Sequence, residues 1–227
     1  MFDSSKGTYG YRRIEEGLMI EYGVKFNHKK IARIMRKYGL KPEYIKRIKN
    51  FGGYKKIQEN IRPNLVKRNF NTEKKNQIWC TDVTYLTFGN KRAYLSTIID
   101  LYDRRVVAYK ISRFNDLQFV VETLNEAIQK EGNIKGLIII HSDQGSQYTS
   151  NQYKEICLAN GIQISMSRKG TPIDDSPMES WHSILKKETL YNNQIKSLDE
   201  YIQLVEDWII FYNTKRLKNR KPKPPIN

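Results

Sequence analysis

Leu137-Ile138-Ile139-Ile140-His141-Ser142-Asp143-Gln144-Gly145-Ser146-Gln147-Tyr148 is the stretch on which the fold turns. Its apolar run reads as a short buried strand, and the polar residues around Gly145 read as the loop that follows it. Ligands of open α/β sheets lie at that carboxyl end, so Asp143 is presented where chemistry is expected.

Upstream, Gln77-Ile78-Trp79-Cys80-Thr81-Asp82-Val83-Thr84-Tyr85-Leu86 has the β-branched and aromatic content of a strand. A charge inside it, Asp82, is costly unless it has a task. Downstream, Pro177-Met178-Glu179-Ser180-Trp181-His182 opens a helical pattern. Met178, Trp181 and Leu185 fall on one face of it, while Glu179, His182 and Lys186 fall on another.

Between these landmarks, Tyr94 to Asp100 and Val106 to Ile111 supply two further strands around the turn Tyr102-Asp103-Arg104-Arg105. Leu117, Val120, Val121, Leu124 and Ile128 mark an amphipathic helix capped by Asn115 or Asp116. The strand Leu137 to His141, a helix over Asn151 to Ala159 and a strand from Ile162 to Met166 follow. The loop Ser167 to Ser176 holds Gly170 and Pro172, which predict mobility. A last helix, Ser197 to Tyr212, carries the stripe Leu198, Ile202, Val205, Ile209 and Tyr212. Three adjacent strands followed by alternating helices and strands predict an α/β fold: an RNase H-like mixed five-stranded sheet flanked by helices.

The front of the chain reads differently. Ile14, Leu18 and Tyr22 share a helical face that Gly23 ends; Asn27 caps a second helix whose stripe is Ile31, Ile34, Met35 and Tyr38, before Gly39. Two short helices joined by a tight turn predict a small N-terminal helical domain of the helix-turn-helix-like kind. It leaves Lys29, Lys30, Arg33, Arg36 and Lys37 facing outward as candidate DNA contacts; a plain helical hairpin is the alternative. From Lys41 to Lys75, Gly52-Gly53, Pro63, Asn71 and many basic residues read as a linker that tracks DNA. The expected organisation is a helix-turn-helix-like region over 1–50, a basic linker over 51–75, a catalytic core over 76–195, and a C-terminal helix with basic tail over 196–227.

Charge supports this division. The net charge of +16 is concentrated at the ends: residues 1 to 75 hold 20 Lys or Arg against 7 acids, residues 76 to 212 hold 14 against 17, and the tail from Asn213 adds six basic residues and no acid. Basic ends around a slightly acidic middle suit a polyanion laid across the chain. Only two cysteines occur, Cys80 and Cys157, with no CxxC pair, so neither a zinc site nor a disulfide framework is supported. No apolar run approaches the roughly 20 residues that span a bilayer, and Met1-Phe2-Asp3 does not open a signal peptide. A soluble protein of a reducing cytoplasm, without a membrane partner, is expected.

Asp82, Asp143 and Glu179 together suit hard divalent cations, which take oxygen ligands and keep several waters. Two Mg²⁺ ions on such a set clamp a phosphodiester for in-line transfer without a protein nucleophile. Singly, each acid also fits an ordinary place: a strand bend, a turn, and a helix first turn favoured by the macrodipole.

The spacing adds to this. Sixty residues separate Asp82 from Asp143 and 35 separate Asp143 from Glu179, with Lys186 seven residues beyond. Together with Trp79-Cys80-Thr81-Asp82-Val83-Thr84-Tyr85, His141 to Tyr148, Ser176-Pro177-Met178-Glu179-Ser180, Gly7 to Ile14 and Phe211-Tyr212-Asn213, this pattern resembles the OrfB-type insertion-sequence transposases of the DDE transposase and retroviral integrase superfamily. The resemblance covers nearly the whole chain. It departs at Asp174-Asp175, where such chains usually carry Asp-Asn, and at the tail Lys221 to Asn227, which ends early.

The resemblance implies a catalytic subunit of the DDE motif class that cleaves DNA and transfers a strand during transposition of an insertion sequence. Asp82, Asp143 and Glu179 would bind two Mg²⁺, with Mn²⁺ able to substitute, and Lys186 would contact DNA near the scissile phosphate. His141 and Gln144 are candidates to line the site, whereas His28 and His182 fit a helix surface or a DNA-facing position equally. The implied partners are the element ends and target duplex, further copies of the chain on DNA, and an upstream reading frame that supplies end recognition, fused by frameshifting, in a bacterial cytoplasm at the nucleoid. Two rival readings stay open: an RNase H-like nuclease without joining activity, and a DNA-binding regulator whose catalytic pocket has decayed.

Overall fold

The computed structural model describes residues 1–5, 7–42, 61–132, 137–191 and 193–217. Residues 43–60 of the expected linker, with Gly52-Gly53, and the tail from residue 218 lie outside the described residues. The chain forms two compact units. One comprises Met1–Asn50, Ile184–Lys196 and Gln203–Asn227; the other comprises Phe51–Ser183 and Ser197–Ile202.

The larger unit is built on five strands: β1 (Ile78–Phe88), β2 (Lys91–Asp100), β3 (Val106–Ser112), β4 (Ile138–Ser142) and β5 (Ile162–Met166), in the order β3-β2-β1-β4-β5. The first three form an antiparallel meander, and β4 and β5 add in parallel to β1. The β1–β2 ladder runs further than the apolar pattern predicts, out to Phe88 opposite Lys91. The reason is the tight turn Gly89-Asn90, with Gly89 in the left-handed region at φ +55°, which lets pairing continue to the hairpin's end.

The connecting helices belong where the periodicity places them. α3 (Leu117–Glu131) is capped by Asp116, whose carboxylate accepts from Phe119 N, deciding between the two candidate caps. α4 (Asn151–Ala159) is capped by Ser150, which accepts from Tyr153 N. Phe119, Val120, Val121 and Leu124 of α3 join Trp79, Ile98, Ile138, Ile140 and Ile162 of the sheet and Tyr153 and Cys157 of α4 in one core. Burying that apolar surface is the main favourable term holding the sheet and helices together.

Residues 61–70 are not a free linker. They run beside the edge strand β5: Met166 N donates to Pro63 O, Leu65 N to the Ser165 hydroxyl, and Arg68 reaches Asp174. The expected mobile loop after β5 is likewise structured. It holds a 3-10 turn over Pro172–Asp175 that leads directly into α5 (Ser176–Glu188). Gly170 takes φ +70°, a local bend in the chain.

The smaller unit begins with α1 (Tyr11–Tyr22) and α2 (His28–Lys37). Gly23 closes α1 in the left-handed region, with its N–H returned to Met19 O, and Asn27 caps α2 by accepting from Lys29 N. Their shared cluster is Tyr9, Ile14, Ile31 and Met35, with Leu18 against it. Tyr22, Ile34 and Tyr38, read from sequence as stripe residues, are exposed. On helices this short only one i, i+4 pair from each can face inward; Tyr38 already lies past the last helical residue, and Ile34 sits to one side of the Ile31–Met35 line.

Within the same unit, Glu188 at the end of α5 accepts from Arg216 Nε and Nη2 at 2.8 and 2.7 Å, from Trp208 Nε1 at 3.0 Å and from Arg13 Nη1 at 3.4 Å. Trp208 lies on α6 (Leu198–Thr214). Arg216 was counted with the basic tail, yet it is buried and paired. Among the described residues no helix is long and apolar enough to cross a membrane.

Candidate functional site

The parallel pairing of β1 with β4 aligns Cys80 with His141, so Asp82 and Asp143 each stand two residues beyond the last paired positions, at the same level on neighbouring strands. Glu179 approaches from the first turn of α5 and is exposed, as is Asp143; Asp82 is partly covered.

Each acid is held locally. Asp82 Oδ1 accepts from Val83 N at 2.8 Å, and Oδ2 lies 3.5 Å from His182 Nδ1. Asp143 Oδ1 accepts from Gly145 N at 2.7 Å, an Asx turn that fixes the carboxylate at the strand's end. A Cβ on Gly145 would meet Asp143 Oδ1 at 2.8 Å and the Tyr148 ring at 3.2 Å, so a side chain there would displace the carboxylate from this turn. Met178 and Trp181 are buried, seating the first half of α5 by the face the periodicity predicts.

Asp175, buried in the 3-10 turn, has its carboxyl pushed up to about 9, first by burial and then by the charges of Asp82, Asp143 and Glu179. Burial also pushes Tyr148 well above the ordinary phenol range, with Asp82 and Asp143 adding to it. Among the described residues no three carboxylates, imidazoles or thiols are drawn together closely enough to ligate one ion as they stand. The donor set nevertheless suits a hard divalent cation: oxygen-only, reachable from solvent at Asp143 and Glu179, and dense in negative charge.

His141 does not line the site. It is fully buried, with Nε2 2.8 Å from the carbonyl of Asp174 and Nδ1 2.8 Å from the Ser165 hydroxyl. A carbonyl only accepts, so Nε2 carries the proton and Nδ1 takes the hydroxyl hydrogen, while Leu65 N donates to the same Ser165 oxygen. Burial lowers the imidazole's pKa and keeps it neutral. It thereby ties β4 to β5 and to the backbone of the 3-10 turn. A strand buried on both faces gives no alternation from which that inward direction could be read.

Gln144 is half-buried and ties the site loop to the following one by donating from Nε2 to Ser167 O at 3.0 Å. Lys186 is half-buried, on the part of α5 that belongs to the smaller unit. Lys29, Lys30, Arg33, Arg36 and Lys37 are all exposed on α2. His182 is the residue that sequence reasoning left undecided; its position three after Glu179 on one helix face was the available signal.

Comparison with known proteins agrees with this fold. Residues 72–172 match the integrase core domain family, residues 160–219 match a second family described as an integrase core domain, and residues 1–49 match an HTH-like domain family. The transposase assigned to insertion sequence element IS150 of Escherichia coli (strain K12) is 33% identical, over 96% of this chain and 75% of that one. The transposase for insertion sequence element IS904 of Lactococcus lactis is 34% identical, over 96% of this chain and 85% of its own length. Among solved structures, the HTLV-2 integrase catalytic core domain in complex with magnesium superposes with a TM-score of 0.52 at 20% identity, over 66% of this chain and 93% of that one. That likeness concerns the fold, a mixed five-stranded sheet of the RNase H-like kind. With a matching integrase core, a matching HTH-like front and these relatives, the chain belongs to the insertion-sequence transposases that carry an integrase core domain.

Proposed function

We propose that Asp82, Asp143 and Glu179 are the catalytic carboxylates of this transposase, and that the chain cuts DNA to expose a 3′ hydroxyl and joins that hydroxyl to a target phosphodiester. The observation that carries the proposal is the β1–β4 register, which sets Asp82 and Asp143 at the same level on neighbouring strands, with Glu179 in the first turn of α5. Divalent cations, Mg²⁺ or Mn²⁺, supply charge neutralisation and activation of the attacking oxygen when bound.

The protein's own part is to keep its three oxygen donors in place. Val83 N–H and His182 orient Asp82, the Gly145 N–H orients Asp143, and the buried Met178 and Trp181 fix the helix turn that presents Glu179. Such prealignment lets phosphoryl transfer proceed in line without a covalent enzyme intermediate.

The exposed basic residues of α2 bind DNA phosphates, and Lys186 serves as a DNA contact. An upstream-frame partner or fusion supplies recognition of the element's ends, and copies of the chain act together on DNA. Product analysis on a labelled element-end duplex tests the function. Joined products alongside 3′-hydroxyl ends support a transposase, whereas cut ends never joined to target, with the upstream partner supplied, would leave only a nuclease.

A further inference from the structure

Two basic pairs, Lys67-Arg68 and Arg168-Lys169, lie far apart in the chain, and their arginines meet on one carboxylate. Asp174 Oδ1 accepts from Arg68 Nε at 2.7 Å and Arg168 Nη2 at 3.1 Å, and Oδ2 accepts from Arg168 Nε at 2.8 Å and Asn64 Nδ2 at 3.1 Å. The Asp174 side chain is sealed from solvent, whereas those of Arg68 and Arg168 are 45% and 62% exposed. A single cation neutralises a carboxylate, so the second leaves a fixed positive charge. Arg68 commits one N–H to Asp174 and Arg168 commits two. A guanidinium is a rigid fork of more donors than that, and the outer edges of both forks face solvent.

The backbone is bent to make this arrangement. Lys67 and Arg68 both take the left-handed region, at φ +47° and +66°, which residues with a Cβ seldom occupy. Asn64 holds the bend by accepting from Lys67 N at 2.8 Å while its amide donates to Asp174. Strained backbone that its surroundings over-determine marks places that function uses. The place is the rim of the catalytic face. Ser167, next to Arg168, donates its N–H to Ser142 O at 2.9 Å and accepts from Gln144 Nε2 at 3.0 Å, so both neighbours of Asp143 hold it. Asp174 stands two residues before α5, whose first turn carries Glu179.

We propose that Arg68 and Arg168, held in place by Asp174, form a two-pronged clamp for the phosphodiester backbone of the DNA strand beside the scissile phosphate, with the exposed Lys67 and Lys169 adding charge on the same strand. Guanidinium forks match phosphate oxygens, and contacts of this kind fix the strand's register without reading its bases. The location rests on the catalytic set assigned above, but binding needs no catalysis.

The test measures binding of the full chain to duplex DNA in Ca²⁺ against rising monovalent salt. Arg68→Gln and Arg168→Gln should each lower the slope of log K against log salt by about 0.9, the worth of one phosphate contact. In joining assays in Mg²⁺ with the upstream partner supplied, each should raise KM about tenfold with kcat nearly unchanged, because a phosphate contact made equally in ground and transition states is uniform binding. A rise confined to the element-end duplex assigns the clamp to that strand, and a rise confined to the target duplex assigns it to the target. Wild-type slopes in both folded variants, or an unchanged KM for both duplexes, would overturn the inference. The arginines would then only tether residues 61–70 to the loop after β5, a role that moves the melting temperature and not the salt slope. Each variant leaves Asp174 one arginine, so should one fail to fold the other decides; should neither fold, the same slope is read on Lys67→Gln and Lys169→Gln. Activity surviving in Asp82→Asn would undo the catalytic set while leaving the salt slopes intact, so the two failures are distinguishable.

Discussion

Replacing Glu188 by alanine isolates what holds the smaller unit together. Glu188 and Arg216 are buried to 7% and 3% exposure, and the carboxylate is the acceptor for both Arg216 nitrogens, for Trp208 Nε1 and for Arg13. Its removal strands a buried guanidinium, a change that costs about 3–5 kcal/mol in comparable buried pairs. Against a total stability of roughly 5–15 kcal/mol this is a large fraction. At ~2–4 °C per kcal/mol for a chain of this size, the melting temperature should fall by roughly 6–20 °C. Urea unfolding followed by tryptophan fluorescence reads the effect, since Trp208 is bonded to the missing group. A double change, Glu188→Met with Arg216→Met, removes both charges and should recover most of the loss. A cost below about 1 kcal/mol for Glu188→Ala, the worth of an exposed pair, would refute the reasoning.

Mn²⁺ should support joining in place of Mg²⁺, whereas Ca²⁺ should permit DNA binding without chemistry because its looser shell misplaces the in-line oxygens; robust joining in Ca²⁺, or activity undiminished by EDTA, would contradict a carboxylate site. In competition binding at near-physiological salt, this chain alone should prefer element ends over random duplex by less than about a thousandfold, with steep salt dependence; a larger preference would show that it carries its own recognition module. Hydrogen bonds from Arg168, then Arg68, hold the Asp174 carboxyl below the ordinary carboxylate range. Its contribution to stability is therefore complete above the unfolded carboxylate value and is lost as pH falls through the acid range; Asp174→Asn should flatten that part of the acid unfolding curve, and an unchanged acid limb would count against the pairing.

The elements legible from sequence were those with local causes. Apolar alternation, the cap at Asp116, the cap at Asn27 and the stop at Gly23 each act over a few residues, so their structures follow from their neighbours in the chain. The three acids were proposed from their spacing and from the patterns around them, and the structure sets them on β1, just after β4 and in the first turn of α5. What escaped depends on distant partners. His141 turns inward because Ser165 and the Asp174 carbonyl meet it there, and residues 61–70 lie along β5 because its edge offers hydrogen bonds. Arg216 sits near the end of a basic run, and only the arrival of Glu188 and Trp208 makes it an anchor.

The central claim is that Asp82, Asp143 and Glu179 act as one set. Its most direct test is strand transfer on an element-end duplex, with the upstream partner supplied and Mg²⁺ saturating, by Asp82→Asn, Asp143→Asn and Glu179→Gln. Each substitution removes one charge while keeping the side chain's shape, so fold and most DNA affinity should persist while cutting and joining both disappear. Appreciable turnover by any one of the three, in a preparation free of wild-type chain, would contradict that residue's place in the set.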